Sequence, residues 1–404
     1  MSVKIEPIFL HEITQFKTNQ ERWNPYPWFK EMRENTPIYY DNNQDVWNVF
    51  RYDDVKRVIS DHKLFSNKRS RSFVPIPNLT DNKSNVNFSD PPIHTHRRTF
   101  LNKAFTPKTL NAWEPRIQAI ANEVIEQIGD RKQIDFLQDF AILIPNLVIA
   151  DLLGVPSKDR SLFKEWSNII FLPKEQQEGL KQKKMQAFKE FYEYLIPIVQ
   201  EKRKNPSHDI ISDLIKAESK EERLTDQEVI ASAINILGGG YKVKTILLAN
   251  SIYCFLKDKP GTYQELHKHP HLIPQAIEEV FRYRFPGVLE RQILQDTNVL
   301  GHEMKKGQIV VAWTSSANRD ESHFPEADEF NIHRLGNQKH LAFGAGRHFC
   351  PGTALSRMEA KIALTTFIQH FSNISLSPDF NVTDHLVVSN TGASLKSLPL
   401  RIGK

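Results

Sequence analysis

The chain has 404 residues, 40% of them hydrophobic, and its 53 basic and 48 acidic side chains give a formal net charge of +5 at pH 7. This composition is typical of a globular protein with a large core, and the mild, dispersed positive charge disfavours nucleic-acid binding. No apolar run is long enough for a membrane span, and residues 1–16 lack the apolar core of a secretory signal, so we expect a cytoplasmic protein without a membrane anchor. Only two cysteines, Cys254 and Cys350, occur, which excludes a disulfide framework.

Helical periodicity dominates the chain from about residue 100 to residue 285. Apolar residues recur with helical spacing in "NKAFTPKTLNAWEPRIQAIANEVIEQI" and in "DFAILIPNLVIADLLGVP", which Gly154 and Pro156 close. The same period continues in "SLFKEWSNII" and in "KKMQAFKEFYEYLIPIVQEKRKNP". This half of the chain is therefore predicted to be largely α-helical.

The longest helical pattern begins at Thr225, which stands in capping-box spacing with Glu228, and it ends before Pro260. The pattern predicts one helix of about 35 residues, or roughly 50 Å. Residues 238–245, "GGGYKVKT", are a weak spot in this helix. Each glycine costs about 1 kcal/mol relative to alanine, and two lysines interrupt an apolar run, so a compensating role is expected.

A further helix and then strands follow the long helical pattern. "IPQAIEEVFRYRFPG" predicts a helix with Pro274 in its first turn and Pro286 at its end. From about residue 288 to residue 316, "VLERQIL" and "NVLGHEMKKGQIVVAWTS" are typical of strands. The predicted fold class is mainly α with a small β region.

The strongest chemical signal is the glycine-rich segment "HLAFGAGRHFCPGTALSRMEAKIALTTFIQHF", which contains Cys350. Its glycines allow the backbone to approach a bulky planar group, and free amides of such a loop can point at a sulfur. The amphipathic helix that follows favours a thiolate at its N-terminus. A zinc site is disfavoured, because "HFC" supplies at most two ligands. We expect Cys350 to act as an anion, and Cys254 to be a small core residue.

This segment resembles the haem-binding loop of the cytochrome P-450 superfamily, Phe-Gly-x-Gly-x-His/Arg-x-Cys-x-Gly. The residues on its pattern positions are Phe343, Gly344, Gly346, His348, Cys350 and Gly352. The resemblance extends over about residues 20–400. It implies a soluble bacterial-type member with the cytochrome P-450 fold, a long central helix over the haem and a single domain spanning residues 1–404. It further implies heme b, iron protoporphyrin IX, as cofactor, with Cys350 as the iron ligand.

Other motifs of the family occur in the expected order. Glu279 and Arg282 of "EVFR", with Arg334, match the family's structural triad. His94 and Arg98, four residues apart on one helix face, match the pair that binds a haem propionate. The resemblance adds Arg291 and His348 as propionate partners, since a buried porphyrin carboxylate needs charged donors.

The central helix departs from the family pattern. The resemblance implies that Gly239 and Gly240 let this helix approach the porphyrin and leave room for dioxygen and substrate. The acid and alcohol that normally follow, and that route protons to bound oxygen, are here Lys242 and Val243. Thr245 offers a hydroxyl only nearly one turn further on.

Three functions remain open from the sequence. In the first, a monooxygenase uses dioxygen, and ordered water, the substrate or Lys242 supplies the protons. In the second, Lys242 anchors an anionic substrate and peroxide is the oxidant. In the third, the protein is a catalytically silent haem binder or sensor. Alternatively, the Lys242 side chain turns away from the substrate pocket and has no functional role.

The resemblance also implies the partners. We expect a monomer that acts on a small lipophilic substrate and receives electrons from a ferredoxin or flavodoxin type partner with an NAD(P)H reductase. Expected substrate contacts lie in "RSFVPIPNL", in residues 163–195 and 238–245, at Val288 and Leu289, and in "NTGASL". A basic face for an acidic redox protein is expected from Arg97, Lys103, Lys339, Arg347 and Arg357.

Overall fold

A computed structural model describes residues 5–73, 86–171, 180–217, 223–389 and 392–403, except for the side chains of Phe171 and Lys181. Helices make up most of this part of the chain. In chain order they are α1 Leu10–Thr14, α2 Asn19–Trp23, α3 Tyr26–Asn35, α4 Tyr52–Ser60, α5 Ile93–Ala104, α6 Pro107–Ile128, α7 Leu143–Leu152, α8 Arg160–Phe171, α9 Leu180–Lys204, α10 Ile210–Lys216, α11 Asp226–Gly240, α12 Lys242–Tyr253, α13 Thr262–Lys268, α14 Ile273–Tyr283, α15 Thr314–Ala317 and α16 Thr353–His370.

Short strands form small sheets beside the helices. They are β1 Glu6–Pro7, β2 Ile38–Asp41, β3 Val46–Val49, β4 Phe65–Ser66, β5 Arg71–Ser72, β6 Gln133–Asp135, β7 Leu289–Ile293, β8 Thr297–Val299, β9 His302–Met304, β10 Ile309–Ala312, β11 Asn373–Leu376, β12 Leu386–Ser389, β13 Gly392–Leu395 and β14 Pro399–Gly403. The largest sheet has the order β2-β3-β10-β7-β4, and β3 and β10 are its parallel pair. The strands predicted at residues 288–316 are present, whereas β2 and β3 were not predicted.

The main apolar core lies between the long helices. Side chains from α6, α7, α12, α14 and α16 meet in one cluster, represented by the buried residues Ile117, Val148, Leu248, Ile277 and Leu364. α16 packs along α6 and also against α12 and α14. This arrangement fixes the helix after Cys350 against the central helix. No helix in the described residues is both long and apolar enough to cross a membrane.

The central helix is interrupted at its glycine-rich stretch. The capping box of Thr225 and Glu228 is present, but α11 ends at Gly240 and α12 begins at Lys242. Hydrogen bonding continues through the interruption, because the Tyr241 amide donates to the Leu237 carbonyl at 3.1 Å. The prediction of one continuous helix of about 35 residues is therefore wrong in this detail. The run of glycines stabilises helix poorly, so a bend forms there.

The triad of Glu279, Arg282 and Arg334 is formed and fully internal. Arg282 donates to both carboxylate oxygens of Glu279, at 2.9 and 2.7 Å, and Arg334 Nε donates to Glu279 Oε1 at 3.1 Å. The side chains of Glu279 and Arg282 have 0% exposure. The remaining guanidinium donors bond to backbone carbonyls, including that of Asn318. The triad therefore joins α14 to the irregular segment before the Cys350 loop.

Replacing Glu279 with Gln should destabilise the protein by about 3 to 5 kcal/mol, because two buried guanidinium groups lose their counter-charge. Urea denaturation of the haem-free protein measures the change. The matched control is Glu193→Gln, which removes an exposed ion pair with Lys189 and should cost less than about 0.5 kcal/mol. Equal losses in the two variants would contradict a supporting role for the triad.

Candidate active site around Cys350

Cys350 lies in a tight loop immediately before α16. The Cys350 amide donates to the Phe343 carbonyl at 3.0 Å, and Thr353 Oγ1 donates to the Cys350 carbonyl at 2.7 Å. Burial raises the pKa of the Cys350 thiol, while hydrogen bonds from the Gly352 amide and the Thr353 hydroxyl act in the opposite direction. The loop therefore points donors at the sulfur, as a metal-bound thiolate requires.

Glycine is needed in this loop for its backbone shape and for close packing. Gly344 has φ +72° and Gly346 has φ +69°, in the left-handed region that disfavours other residues. A Cβ on Gly346 would lie 2.7 Å from the Cα of Ser60 in α4, which is too close for any side chain. The ring of Phe343 packs on Phe281, with 4.6 Å between centroids. These contacts fix the loop against α4 and α14.

Four predicted propionate partners come together beside the loop. The rings of His94 and His348 lie 3.8 Å apart between centroids. Arg98 donates to the carbonyl of Phe349, the residue before Cys350. Arg291 is 5% exposed, and its Nη1 donates to the Glu290 carbonyl at 2.8 Å. Within the described residues, none of the four basic side chains forms an ion pair with a carboxylate.

The electrostatics of this cluster indicate a site for an anion. Burial and the nearby Arg98 charge lower the pKa of His94 to about 4, and neither ring nitrogen of His94 has a hydrogen-bond partner. Burial and the charge of Arg69 lower the pKa of Arg291 to about 9. Basic groups that repel one another when buried need a negative partner. The two carboxylates of haem fit this requirement.

Arg69 also lies near this basic cluster, and it was not predicted from the sequence as a site residue. Its Nη2 lies 3.5 Å from Glu290 Oε2, and its guanidinium lies 4.2 Å from the ring centroid of Phe88. The signal in the sequence was the basic stretch "KRSR" at residues 68–71. Such a stretch is usually a solvated turn, so burial of Arg69 follows only from the fold.

One face of the central helix is open at the glycine-rich stretch. A Cβ added to Gly239 would meet no atom within 4 Å, and Val243, one turn later, is 40% exposed. Gly240 differs, because a Cβ there would lie 2.8 Å from Cδ1 of Ile149 in α7. Gly239 thus fits the predicted approach of a planar group. The structure instead explains the glycine at position 240 by the close packing of α11 against α7.

The polar residues after the bend have different surroundings. Thr245 is 8% exposed, and its hydroxyl donates to the Tyr241 carbonyl at 3.2 Å, so it satisfies the backbone at the bend. Lys242 is half-buried, burial lowers its pKa, and no carboxylate pairs with it in the described residues. Lys244, which was not predicted as a site residue, forms a buried ion pair with Glu359 of α16. Glu359 is 115 positions away in sequence, so no local pattern shows this contact.

Comparison with known proteins identifies the family. A family model described as "Cytochrome P450" matches residues 6–396. The chain is a cytochrome P450. Cytochrome P450(MEG) of Priestia megaterium is 48% identical over 407 residues, which cover 99% of each sequence. The P450 membership confirms the predicted mainly helical fold with small sheets and the predicted haem-thiolate cofactor. It also identifies the protein as a monooxygenase.

Solved P450 structures resemble this one over almost the whole chain. The crystal structure of CYP109E1 from Bacillus megaterium in complex with corticosterone has a TM-score of 0.86 and 38% identity, covering 95% of this chain and 99% of that chain. The complex of CYP109E1 with testosterone has a TM-score of 0.85 and 38% identity, covering 94% of this chain and 100% of that chain. Both ligands in those structures are steroids.

The predicted substrate contacts are only partly within the described residues. Val288 and Leu289 are half-buried, and Leu289 Cδ1 lies 3.8 Å from the position of a Cβ on Gly344, so this strand borders the Cys350 loop. Residues 74–79 of "RSFVPIPNL", residues 172–179 and residues 390–391 of "NTGASL" lie outside the described residues.

The His94 environment predicts how acid affects the haem-free protein. His94 has a folded-state pKa of about 4, below its unfolded value of about 6.5, so the unfolded chain binds more protons between these values. Stability should therefore fall as the pH drops from about 6.5 to about 4, and less steeply in His94→Gln. Thermal denaturation at several pH values measures this slope. The exposed His271→Gln control should keep the full slope, and a slope unchanged in His94→Gln would contradict the prediction.

Proposed function

We propose that this P450 binds haem through Cys350 and inserts one oxygen atom of O2 into a small, neutral, lipophilic substrate of about steroid size. The observation that carries the proposal is a cysteine loop just before α16 that lies beside four basic groups, two buried and two half-buried, with no carboxylate partner in the described residues. The loop supplies an iron ligand, and the basic cluster supplies the binding site for the porphyrin carboxylates. Haem, when bound with a thiolate ligand, supplies oxygen activation.

The protein residues have separate tasks in this proposal. The Gly352 amide stabilises negative charge on the Cys350 sulfur, while the Thr353 hydroxyl holds the Cys350 carbonyl in place. Gly344 and Gly346 keep the loop in a shape that brings its backbone close to the porphyrin, with Phe343 packed behind it. His94, Arg98, Arg291 and His348 bind and orient the cofactor carboxylates.

The apolar side chains near the proposed site favour a lipophilic substrate. The central helix carries the exposed Val243 one turn after the open position at Gly239, and Val288 and Leu289 are half-buried apolar residues next to the Cys350 loop. Val243 supplies no hydroxyl, and the Thr245 hydroxyl is bound to the Tyr241 carbonyl. Ordered water, the substrate or Lys242 therefore supplies the protons for the reaction. The steroid complexes of CYP109E1 support a guest of similar size.

The proposed electron donor is a separate acidic protein of the ferredoxin or flavodoxin type. Lys103, Lys339 and Arg347 are exposed, and none is paired with a carboxylate within the described residues. The other two members of the expected basic face are neutralised. Arg97 lies 3.5 Å from Glu228, and Arg357 forms two hydrogen bonds of 2.6 Å with Glu278. The docking surface is thus smaller than the sequence predicts.

A second function is favoured by Lys242. This half-buried lysine has no carboxylate partner in the described residues, and residues 229–253 contain no aspartate or glutamate. A buried ammonium group gains from an anionic partner. We infer that a lipophilic carboxylate could bind here, in which case the substrate replaces the missing acid and peroxide serves as oxidant.

The main proposal predicts the outcome of a labelling experiment. With NAD(P)H, a ferredoxin and its reductase under 18O2, the protein should convert testosterone or a related neutral steroid to a product containing one 18O atom. Cys350→Ser should abolish both this product and the red-shifted Soret band of the reduced carbon monoxide complex. Cys254→Ala, at the buried second cysteine, should retain both. A Soret band that persists in Cys350→Ser would contradict the assignment of the iron ligand.

The Lys242 alternative predicts a difference between charged and neutral ligands. If Lys242 binds a carboxylate, Lys242→Met should weaken binding of a long-chain fatty acid about 10- to 100-fold, since a charged hydrogen bond contributes roughly 1.5 to 3 kcal/mol. The methyl ester of the same acid should bind equally to both proteins. Titration of the haem spectrum measures both affinities, with the exposed Lys361→Met as control. Equal weakening for acid and ester would exclude this role.

A further inference from the structure

A buried ion pair connects the central helix to the helix that follows Cys350. Lys244 of α12 contacts Glu359 Oε2 of α16, and the side chains are 5% and 1% exposed. The second carboxylate oxygen of Glu359 is buried and has no hydrogen-bond partner in the described residues. The Lys244 chain passes close to the bend, because its Cε would lie 3.6 Å from a Cβ on Gly240.

The pair is expensive to bury. Removing two charges from water costs several kcal/mol for each, and a carboxylate with one unpaired oxygen recovers only part of this cost. Burial accordingly raises the pKa of Glu359, although Lys244 opposes the change. A pair of apolar side chains would fill the same space without this cost. The presence of the Lys244–Glu359 ion pair therefore indicates a role other than stability.

The ion pair is coupled to Cys350 through α16 and through space. α16 begins at Thr353, whose hydroxyl is bonded to the Cys350 carbonyl, and Glu359 lies on the same helix. Glu359 stands six positions after Thr353, which corresponds to about 9 Å along the axis of α16. The charges of the pair are thus fixed close to the segment that we propose as the iron ligand's support.

We propose that Lys244, held in place by Glu359, is a positioning residue that sets the reduction potential of the haem. The proposal rests on haem ligation by Cys350. One electron from the external donor reduces ferric to ferrous iron, which adds one negative charge to the haem and its ligand. A fixed ammonium group nearby stabilises that charge, whereas the carboxylate opposes it. The two members of the pair therefore act on the potential in opposite directions.

The test is the midpoint potential, measured by spectroelectrochemistry on three haem-bound variants. Lys244→Met should shift the potential downward, because the positive charge is lost. Glu359→Gln should shift it upward, because Lys244 then lacks its counter-charge. The double variant should lie near the wild-type value. A pair that serves only packing would shift both single variants in the same direction or in neither, and that result would overturn the proposal.

Controls separate this proposal from the one on which it rests. Lys361→Met removes an exposed charge two positions from Glu359 on α16 and should leave the potential unchanged, because solvent screens it. Lys244→Arg keeps the charge and should stay near the wild-type potential. Each variant is first checked for the red-shifted carbon monoxide band. If wild type lacks this band, the assignment of Cys350 fails. If Lys244→Met alone does not retain haem, the upward shift in Glu359→Gln still decides the proposal, and its absence overturns it.

Discussion

The main constraint on the structure is that the basic side chains beside Cys350 need a negatively charged partner. His94 and Arg98 of α5, Arg291 of β7 and His348 of the Cys350 loop are brought together from three separate segments, and burial lowers the pKa of both histidines. Such a cluster is unfavourable in an empty protein and becomes favourable only around a dianionic group. In the proposed arrangement, cofactor binding and folding are linked, because the haem carboxylates would neutralise charges that the fold has already buried.

A second constraint acts on the central helix. The helix must pass beside the cofactor space while also packing on α7 and α16. Neighbouring glycines meet these two needs separately, since Gly239 faces open space and Gly240 receives Ile149. The cost is a bend at Tyr241, where the Thr245 hydroxyl bonds to the Tyr241 carbonyl. The Thr245 hydroxyl, which the sequence offers as a candidate for catalysis, therefore satisfies the backbone of the helix.

Much of the fold was predictable because its signals are local. Capping at Thr225 and helical periodicity depend on neighbours in sequence. The strands β2 and β3 have four residues each and pair with each other, but they join the larger sheet only because β3 pairs with the distant β10. The cysteine loop was recognisable from its glycine spacing. Neither the burial of Arg69 nor the neutralisation of Arg357 by Glu278 was predictable, because both depend on tertiary contacts.

Lys242 and Lys244 show why the site could not be completed from the sequence. They stand two positions apart on one helix, so they face different sides of it. Lys244 reaches Glu359 of α16 and is neutralised, whereas Lys242 keeps its charge without a carboxylate partner in the described residues. Only the charge that is left uncompensated can select an anionic ligand, and only the compensated one lies in the core beside the cysteine helix. The same residue type therefore stays uncompensated at one position and is neutralised at the other, and the difference is made by a carboxylate of α16 that the central helix does not itself contain.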